Sequence, residues 1–212
     1  QTRFYGDITD WYREQVQLDP EGRPLTSRFR GEWRPLLRSD EGYTVADVPA
    51  LGSVGRTETW PRWSTFDGRH IVALEGRAAA PGDPLGPGEA LVAVGGELLV
   101  PGDTDGDGHI EAISFDYTGF DLGNLFGVLG GFATASDLQE LRGHTRSLVA
   151  YGQNIVAADR QGQVFYGAYN ATPCRGYLPR DADGGWLPGA NPQRLLDGTR
   201  HGGFEVLLDE QG

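Results

Sequence analysis

The sequence predicts an α+β fold, rich in short strands and carrying a few short helices, and three observations lead there. The 212 residues include 33 glycines and 13 prolines, a turn density that favours short strands over long helices. Two β-rich runs, residues 153–158 and 163–169, face each other across Asp159-Arg160-Gln161-Gly162, where glycine supplies the positive φ of a tight hairpin. Ser136 with Gln139 reads as a capping box for a helix over 137–144, in which Leu138 and Leu141 keep helical spacing and Leu148 lies just beyond.

The hairpin carries Val156, Val164 and Tyr166 as one apolar set and Ile155, Ala157 and Phe165 as the other. Both faces are therefore expected to be covered, as inside a layered fold. Upstream, Trp11, Val16 and Leu18 do not decide between strand and helix for residues 11–18. Asp19-Pro20-Glu21-Gly22 is a turn, followed by extended runs at 26–30, 33–37 and 43–48. Trp60 and Trp63, flanking Pro61 and Arg62, read either as the wall of an apolar pocket or as a surface turn packed on its own aromatics, the second being favoured. Residues 79–88 form a Pro/Gly-rich loop that can mark a lobe junction. A second hairpin pairs 90–94 with 97–100 across Gly95-Gly96, residues 110–117 alternate like a strand, and 121–132 are helix-like despite their glycines. The tail over 185–205 is irregular turns.

Thirty acidic residues against eighteen basic ones leave a net charge of −12, which excludes nucleic acid and an anionic membrane surface as natural partners. The single cysteine, Cys174, excludes an internal disulfide and fixes no compartment. No apolar run reaches spanning length. The chain opens at Gln1 and contains no methionine, so residues 1–212 are expected to be a fragment of a longer product.

Two acidic patterns suggest cation chemistry. Asp7 and Asp10 stand as Asp-x-x-Asp, which supplies closely spaced oxygens for a hard cation but more often caps a turn or helix. Asp103, Asp105 and Asp107 with Gly108 match the first half of an EF-hand-type loop, yet its twelfth position is Ser114 and a strand follows. A calcium-binding turn and a solvated acidic hairpin turn both remain open there, the latter favoured. Asn170-Ala171-Thr172 has the form of a glycosylation sequon.

Several segments taken together resemble one family. Asn154, two apolar residues, Ala157-Ala158-Asp159, then Gly162 and Tyr166, followed by Pro173-Cys174-Arg175, is similar to the strand pair in the β-chain of penicillin acylases. The order agrees elsewhere: Asp7 and Asp10, Gly31-x-Trp33, the 110–117 strand, Asp121-x-x-Asn124 and the capped helix. Arg56-Thr57 departs from the pattern, because Glu58-Thr59-Trp60-Pro61 stands where the family has His-Gly.

The resemblance implies part of an αββα N-terminal-nucleophile hydrolase sandwich. The activity implied is cleavage of a linear amide C–N bond in an N-acylated substrate, such as a β-lactam antibiotic, acyl-homoserine lactone or acyl peptide. It implies autoproteolytic processing, an α-chain and the remainder of the β-chain as partners, and a periplasmic or secreted location. One structural calcium ion is implied at Asp7, the carbonyl of Thr9, Asp10 and the carbonyl of Pro179, and the backbone N–H of Arg3 falls at the oxyanion hole.

Residues 1–212 carry no complete catalytic set of their own. An N-terminal nucleophile uses the hydroxyl of a first residue and that residue's own amine as base. Gln1 has no hydroxyl, Thr2 is preceded by a residue, and His70, His109, His144 and His201 lie in unrelated contexts. The serine is expected upstream. The reading from another class is a secreted, non-catalytic, calcium-stabilised binding module built on the acidic run at 103–111.

Overall fold

Strand β1 (Thr9–Leu18) is the first element of the computed structural model, which describes residues 8–121, 125–146, 153–169 and 172–206. Its alternation settles the choice between strand and helix: Asp10, Tyr12, Glu14 and Val16 are buried and Trp11, Arg13 and Gln17 are exposed. The chain divides into two compact units, residues 11–115 with 178–203, and residues 1–10 with 116–177 and 204–212.

The larger unit is built on the sheet that β1 enters. Its strands are β2 (Pro24–Phe29), β3 (Glu32–Pro35), β4 (Leu37–Val45), β5 (Arg56–Ser64), β6 (His70–Leu74), β7 (Gly76–Ala78), β8 (Val92–Val94), β9 (Glu97–Pro101), β10 (Ile110–Tyr117) and, far downstream, β13 (Leu195–Asp197). The main sheet runs β3-β2-β1-β10-β6-β5-β4, and β7-β9-β8 form a smaller antiparallel sheet. β13 pairs in parallel with residues 11–13 of β1, while β2 pairs antiparallel with residues 16–18, so one edge of β1 is shared between them. The core joins Val16, Trp63, Ile71, Leu74, Val92, Val94, Leu99 and Ala112; Tyr12, Leu178 and Leu196 form a second cluster with Trp186 against it.

Turn chemistry sets the hairpins. Gly95 and Gly96 have φ of 61° and 86° between the paired residues Val94 and Glu97, as the Gly-Gly pair predicts. A Cβ at Gly95 would lie 1.9 Å from the Val72 carbonyl oxygen, so this turn is fixed by packing as well as by φ. Arg30 (φ 48°) and Gly31 (φ 84°) make the equivalent two-residue turn between β2 and β3. Asp19 accepts from the N–H groups of Glu21 and Arg23, closing the predicted turn after β1.

The Trp60-Pro61-Arg62-Trp63 run is strand β5, not a surface turn, paired along β4 from Leu37↔Ser64 to Val45↔Arg56. Among the described residues β5 pairs with β6 at Ser64↔His70 alone, so Pro61 lies along a stretch of edge where no ladder donor is required. Trp63 enters the core and Trp60 stays exposed, donating from Nε1 to Glu58 at 3.2 Å. The loop at 79–88 lies inside this unit.

The smaller unit holds a 3-10 turn (Thr118–Asp121), α1 (Leu125–Thr134), α2 (Leu138–Thr145), and the antiparallel hairpin β11 (Gln153–Ala158) and β12 (Val164–Tyr169). The N-cap of α2 is Asp137, whose carboxylate accepts from Glu140 N–H at 2.8 Å, while Glu140 accepts from the N–H and hydroxyl of Ser136. The cap thus sits one residue later than the Ser136–Gln139 box, with Glu140 at the third helical position. Gly131 of α1 accommodates the His144 ring of α2, whose atoms lie 2.3–2.6 Å from where a Cβ would stand.

The hairpin itself corrects an expectation. Ile155, Ala157 and Phe165 are half-buried, but Val156, Val164 and Tyr166 are 72%, 73% and 68% exposed. Helix α2 packs against β12, and among the described residues nothing covers the Val156–Tyr166 face. A sequence of this alternation fits a doubly covered strand pair, but covering both faces takes a second layer.

Gly95→Ala should destabilise the protein by about 1–3 kcal/mol from overpacking against backbone. Gly96→Ala, with a left-handed φ and open space around it, should lose only the backbone strain, about 1 kcal/mol. Urea unfolding of the two variants side by side measures the difference.

Candidate functional site

The inward face of β1 is where charge meets the interior. Hydrophobic alternation would place apolar side chains at positions 10, 12, 14 and 16, and the chain has Asp10 and Glu14 at two of them, both fully buried. A buried carboxylate needs a partner or loses its charge.

In the larger unit Glu14 has Arg69, 1% exposed, whose Nη1 donates to Oε1 at 2.6 Å; the Ser114 hydroxyl donates to the same oxygen at 2.6 Å. Arg69 is spread over further acceptors. Its Nε donates to both oxygens of Asp67 at 3.0 and 3.1 Å, its Nη1 to the His201 carbonyl at 3.3 Å, and its guanidinium lies 4.6 Å from the Tyr12 ring centroid. Gly198 closes the cluster: a Cβ there would stand 2.5 Å from both oxygens of Glu14, so only glycine allows the approach. Burial pushes the Glu14 carboxyl up, against the pull of Arg69 and Ser114. For Asp67 burial also raises the carboxyl, but Arg69, the Thr65 hydroxyl and the Gly203 N–H outweigh it and hold it below its ordinary value.

In the smaller unit Asp10 is gripped by Arg175. Nε donates to Oδ1 and Oδ2 at 3.0 and 2.9 Å, and Nη2 donates to Oδ1 at 2.6 Å. The segment bearing Arg175 is held in turn by an antiparallel bridge, Cys174 N–H donating to the Glu205 carbonyl at 2.8 Å. Phe204 N–H donates to Asp116 at 3.0 Å and Thr118 N–H to the Ile8 carbonyl at 3.1 Å.

The acidic turn before β10 folds around its own carboxylates. Asp103 accepts from Gly106 and Gly108 N–H at 2.6 and 2.8 Å, Asp105 from Asp107 N–H, and Asp107 from His109 N–H. Ser114 lies beneath the sheet against Glu14 and is no part of the turn. The further carboxylate comes from Glu75, after β6, which accepts from Thr104 and Asp105 through Oε1 and from Glu111 N–H through Oε2. Burial acts to raise the Glu75 carboxyl, and the surrounding N–H donors bring it below its ordinary value. Glu75, Asp103 and Asp105 each bring one oxygen within 4.8 Å of the others, an arrangement able to hold a metal ion. Sequence reasoning found the turn but missed Glu75, whose only local signal is a charge at the end of an apolar strand.

A cleft of about 650 Å³ opens in the larger unit, lined by Arg13, Arg28, Arg30 and Arg200 with Glu111 and Asp197. Trp60 and Trp63 do not line it. Of the residues expected at a functional site, Arg3 and Asp7 lie outside the described residues, as does the Asn170-Ala171 part of the sequon. Thr9 begins β1, and the Pro179 carbonyl, in the larger unit, accepts from Leu187 N–H at 3.3 Å. The histidines do not converge: His70 lies against Arg62, His144 against Gly131, His201 gives its carbonyl to Arg69, and His109 is exposed. Burial, then the Arg62 charge, lowers the His70 pKa, and burial lowers that of His201.

The family model for penicillin amidase matches residues 1–202. Among solved structures, a thermostable penicillin G acylase from Alcaligenes faecalis, in orthorhombic form, superposes with a TM-score of 0.50 at 19% identity. That alignment covers 95% of this chain and 26% of the other, and at such identity it shows a shared fold. Among curated proteins no sequence matches.

Removing the Arg69 guanidinium should be severe. Arg69→Ala leaves a fully buried carboxylate unpaired and should cost about 3–5 kcal/mol in urea unfolding. Asp67 gives a pH signature of definite sign. With its folded pKa depressed, its contribution is present above the unfolded value, about 3.9, and is lost as pH falls through the folded one. Asp67→Asn should flatten that limb of the stability–pH curve.

Proposed function

The chain belongs to the penicillin amidase family, and on that premise we propose that it forms part of an amidohydrolase that cleaves the amide bond of an N-acylated substrate. The observation carrying the proposal is the family match over residues 1–202, supported by the fold shared with a penicillin G acylase. In this reading the nucleophile is the hydroxyl of an N-terminal serine exposed by autoproteolysis, outside residues 1–212. Its own α-amine takes the proton as the hydroxyl attacks the acyl carbon. The backbone N–H of Arg3 donates to the oxygen that becomes negative, the position from which a preorganised donor contributes most. Strands β1, β10, β6 and β5 are scaffold here. The exposed Val156, Val164 and Tyr166 face is consistent with a hairpin completed by chain outside this piece. The substrate is a small N-acyl compound, a β-lactam, an acyl-homoserine lactone or an acyl peptide, and the enzyme is periplasmic or secreted.

The metal of this reading is a calcium ion on Glu75, Asp103 and Asp105. Hard carboxylate oxygens and the EF-hand-like spacing of the aspartates favour calcium over softer metals. Its role is structural, fastening the turn before β10.

Two measurements test these statements. The full-length protein should release amine from a panel of phenylacetyl, fatty-acyl and peptidyl amides, and alanine in place of the N-terminal serine should abolish release. Absence of hydrolysis across the panel contradicts the reading. Calorimetric calcium binding should be lost in both Glu75→Gln and Asp103→Asn; unchanged binding in either removes the ion from this turn.

A further inference from the structure

Four guanidiniums line one cleft of a chain whose net charge is −12. The cleft, of about 650 Å³, has the size of a site for a small organic ligand. It opens in the larger unit beside Arg13 and Gln15 of β1, where that strand's edge passes from β13 to β2. Its walls are tied to one another through the backbone. Gly198 N–H donates to the Arg13 carbonyl at 2.9 Å, and Arg30 N–H to the Thr199 carbonyl at 2.7 Å. Leu196, fully buried with Tyr12, anchors the β13 wall.

The charges in the cleft are unequally matched. Arg200 Nε lies 3.1 Å from Asp197, and Arg13 Nη1 lies 3.6 Å from Glu111. Arg28 donates to the neutral Gln15 Oε1 at 3.3 Å, and the Arg30 guanidinium lies 5.0 Å from the Phe29 ring centroid. Among the described residues neither has a carboxylate partner, although exposed arginines elsewhere do: Arg34 with Glu32, Arg38 with Asp40, Arg56 with Glu58 and Arg77 with Glu89. Four arginines against Glu111 and Asp197 leave two positive charges in excess, and a concave site focuses such a field on a small anion. Arg30 is also the one non-glycine residue of positive φ among those described, at 48°. Glycine would hold that turn position freely, so an arginine kept there points to a use for its side chain.

We propose that this cleft binds a small organic dianion, a phosphate monoester or a dicarboxylate, with the Arg28 and Arg30 guanidiniums on its oxyanion groups. A planar guanidinium meets either group with paired N–H donors. Long polyanions are repelled by the charge of the whole chain, whereas a compact ligand lies inside the local field. The inference rests on the cleft alone and is independent of the hydrolytic reading and of calcium.

The experiment is calorimetric titration of the full-length protein at low ionic strength, with phenyl phosphate and phthalate as probes and benzamide as the neutral control. At least one dianion should bind at a single site. Phenyl phosphate alone identifies a phosphate-type site, phthalate alone a dicarboxylate site, and both a site for the shared charge. Arg28→Gln and Arg30→Gly should each weaken that binding about tenfold. Arg30→Gly should melt no lower than the wild type, since glycine relieves the left-handed backbone. Arg56→Gln, outside the cleft, should leave binding unchanged. The proposal is overturned if neither dianion binds, if benzamide binds as well as they do, or if Arg28→Gln or Arg30→Gly keeps wild-type affinity. It is equally overturned if Arg56→Gln weakens binding as much as they do, or if the loss in Arg30→Gly comes with a lower melting temperature.

Discussion

Strand β1 buries two carboxylates, and each must find a cation inside the protein. Asp10 and Glu14 alternate with Tyr12 and Val16 on one face of the strand, all at 4% exposure or less. The partners come from far along the chain, Arg69 fifty-five positions from Glu14 and Arg175 one hundred and sixty-five from Asp10. Removing one partner of such a pair strands a charge in low dielectric, so the fold is specified strongly at these points even where the net stabilisation by the pair is modest. Gly198 shows how closely the constraint is met, since its missing side chain is what lets residues 197–199 pass over Glu14.

Around that strand the architecture follows simple rules. β13 pairs with the first part of β1 and β2 with the last, so a segment from near the end of the described chain enters the sheet beside one from its beginning. Asp67, Arg69 and the Gly203 N–H join the same polar cluster to residues 201–203. These long-range ties suit a scaffold that must hold its geometry.

Local turn chemistry made part of this fold legible in the sequence. Gly95-Gly96, the Asp159–Gly162 connector and the alternation of residues 110–117 led directly to β8–β9, β11–β12 and β10. β1 was ambiguous because the acids on its inward face break the apolar alternation that identifies a half-buried strand. β5 was missed for a different reason, since it is exposed along most of its length, contains Pro61 and has little apolar periodicity to display. The candidate sites were less legible than the strands. Arg69, Arg175 and Glu75 act at distances in sequence that no spacing rule spans, and the exposed face of the β11–β12 hairpin is visible only once the neighbouring layer is known.

The chain belongs to the penicillin amidase family, and the function proposed for it puts the reactive group outside residues 1–212. The most direct measurement is covalent labelling of the full-length protein with a serine-directed sulfonyl fluoride, followed by peptide mapping. The account predicts a single label on a serine at the start of a chain outside residues 1–212, with loss of amide hydrolysis in proportion to labelling. A stoichiometric, inactivating label on a residue within 1–212 would contradict it.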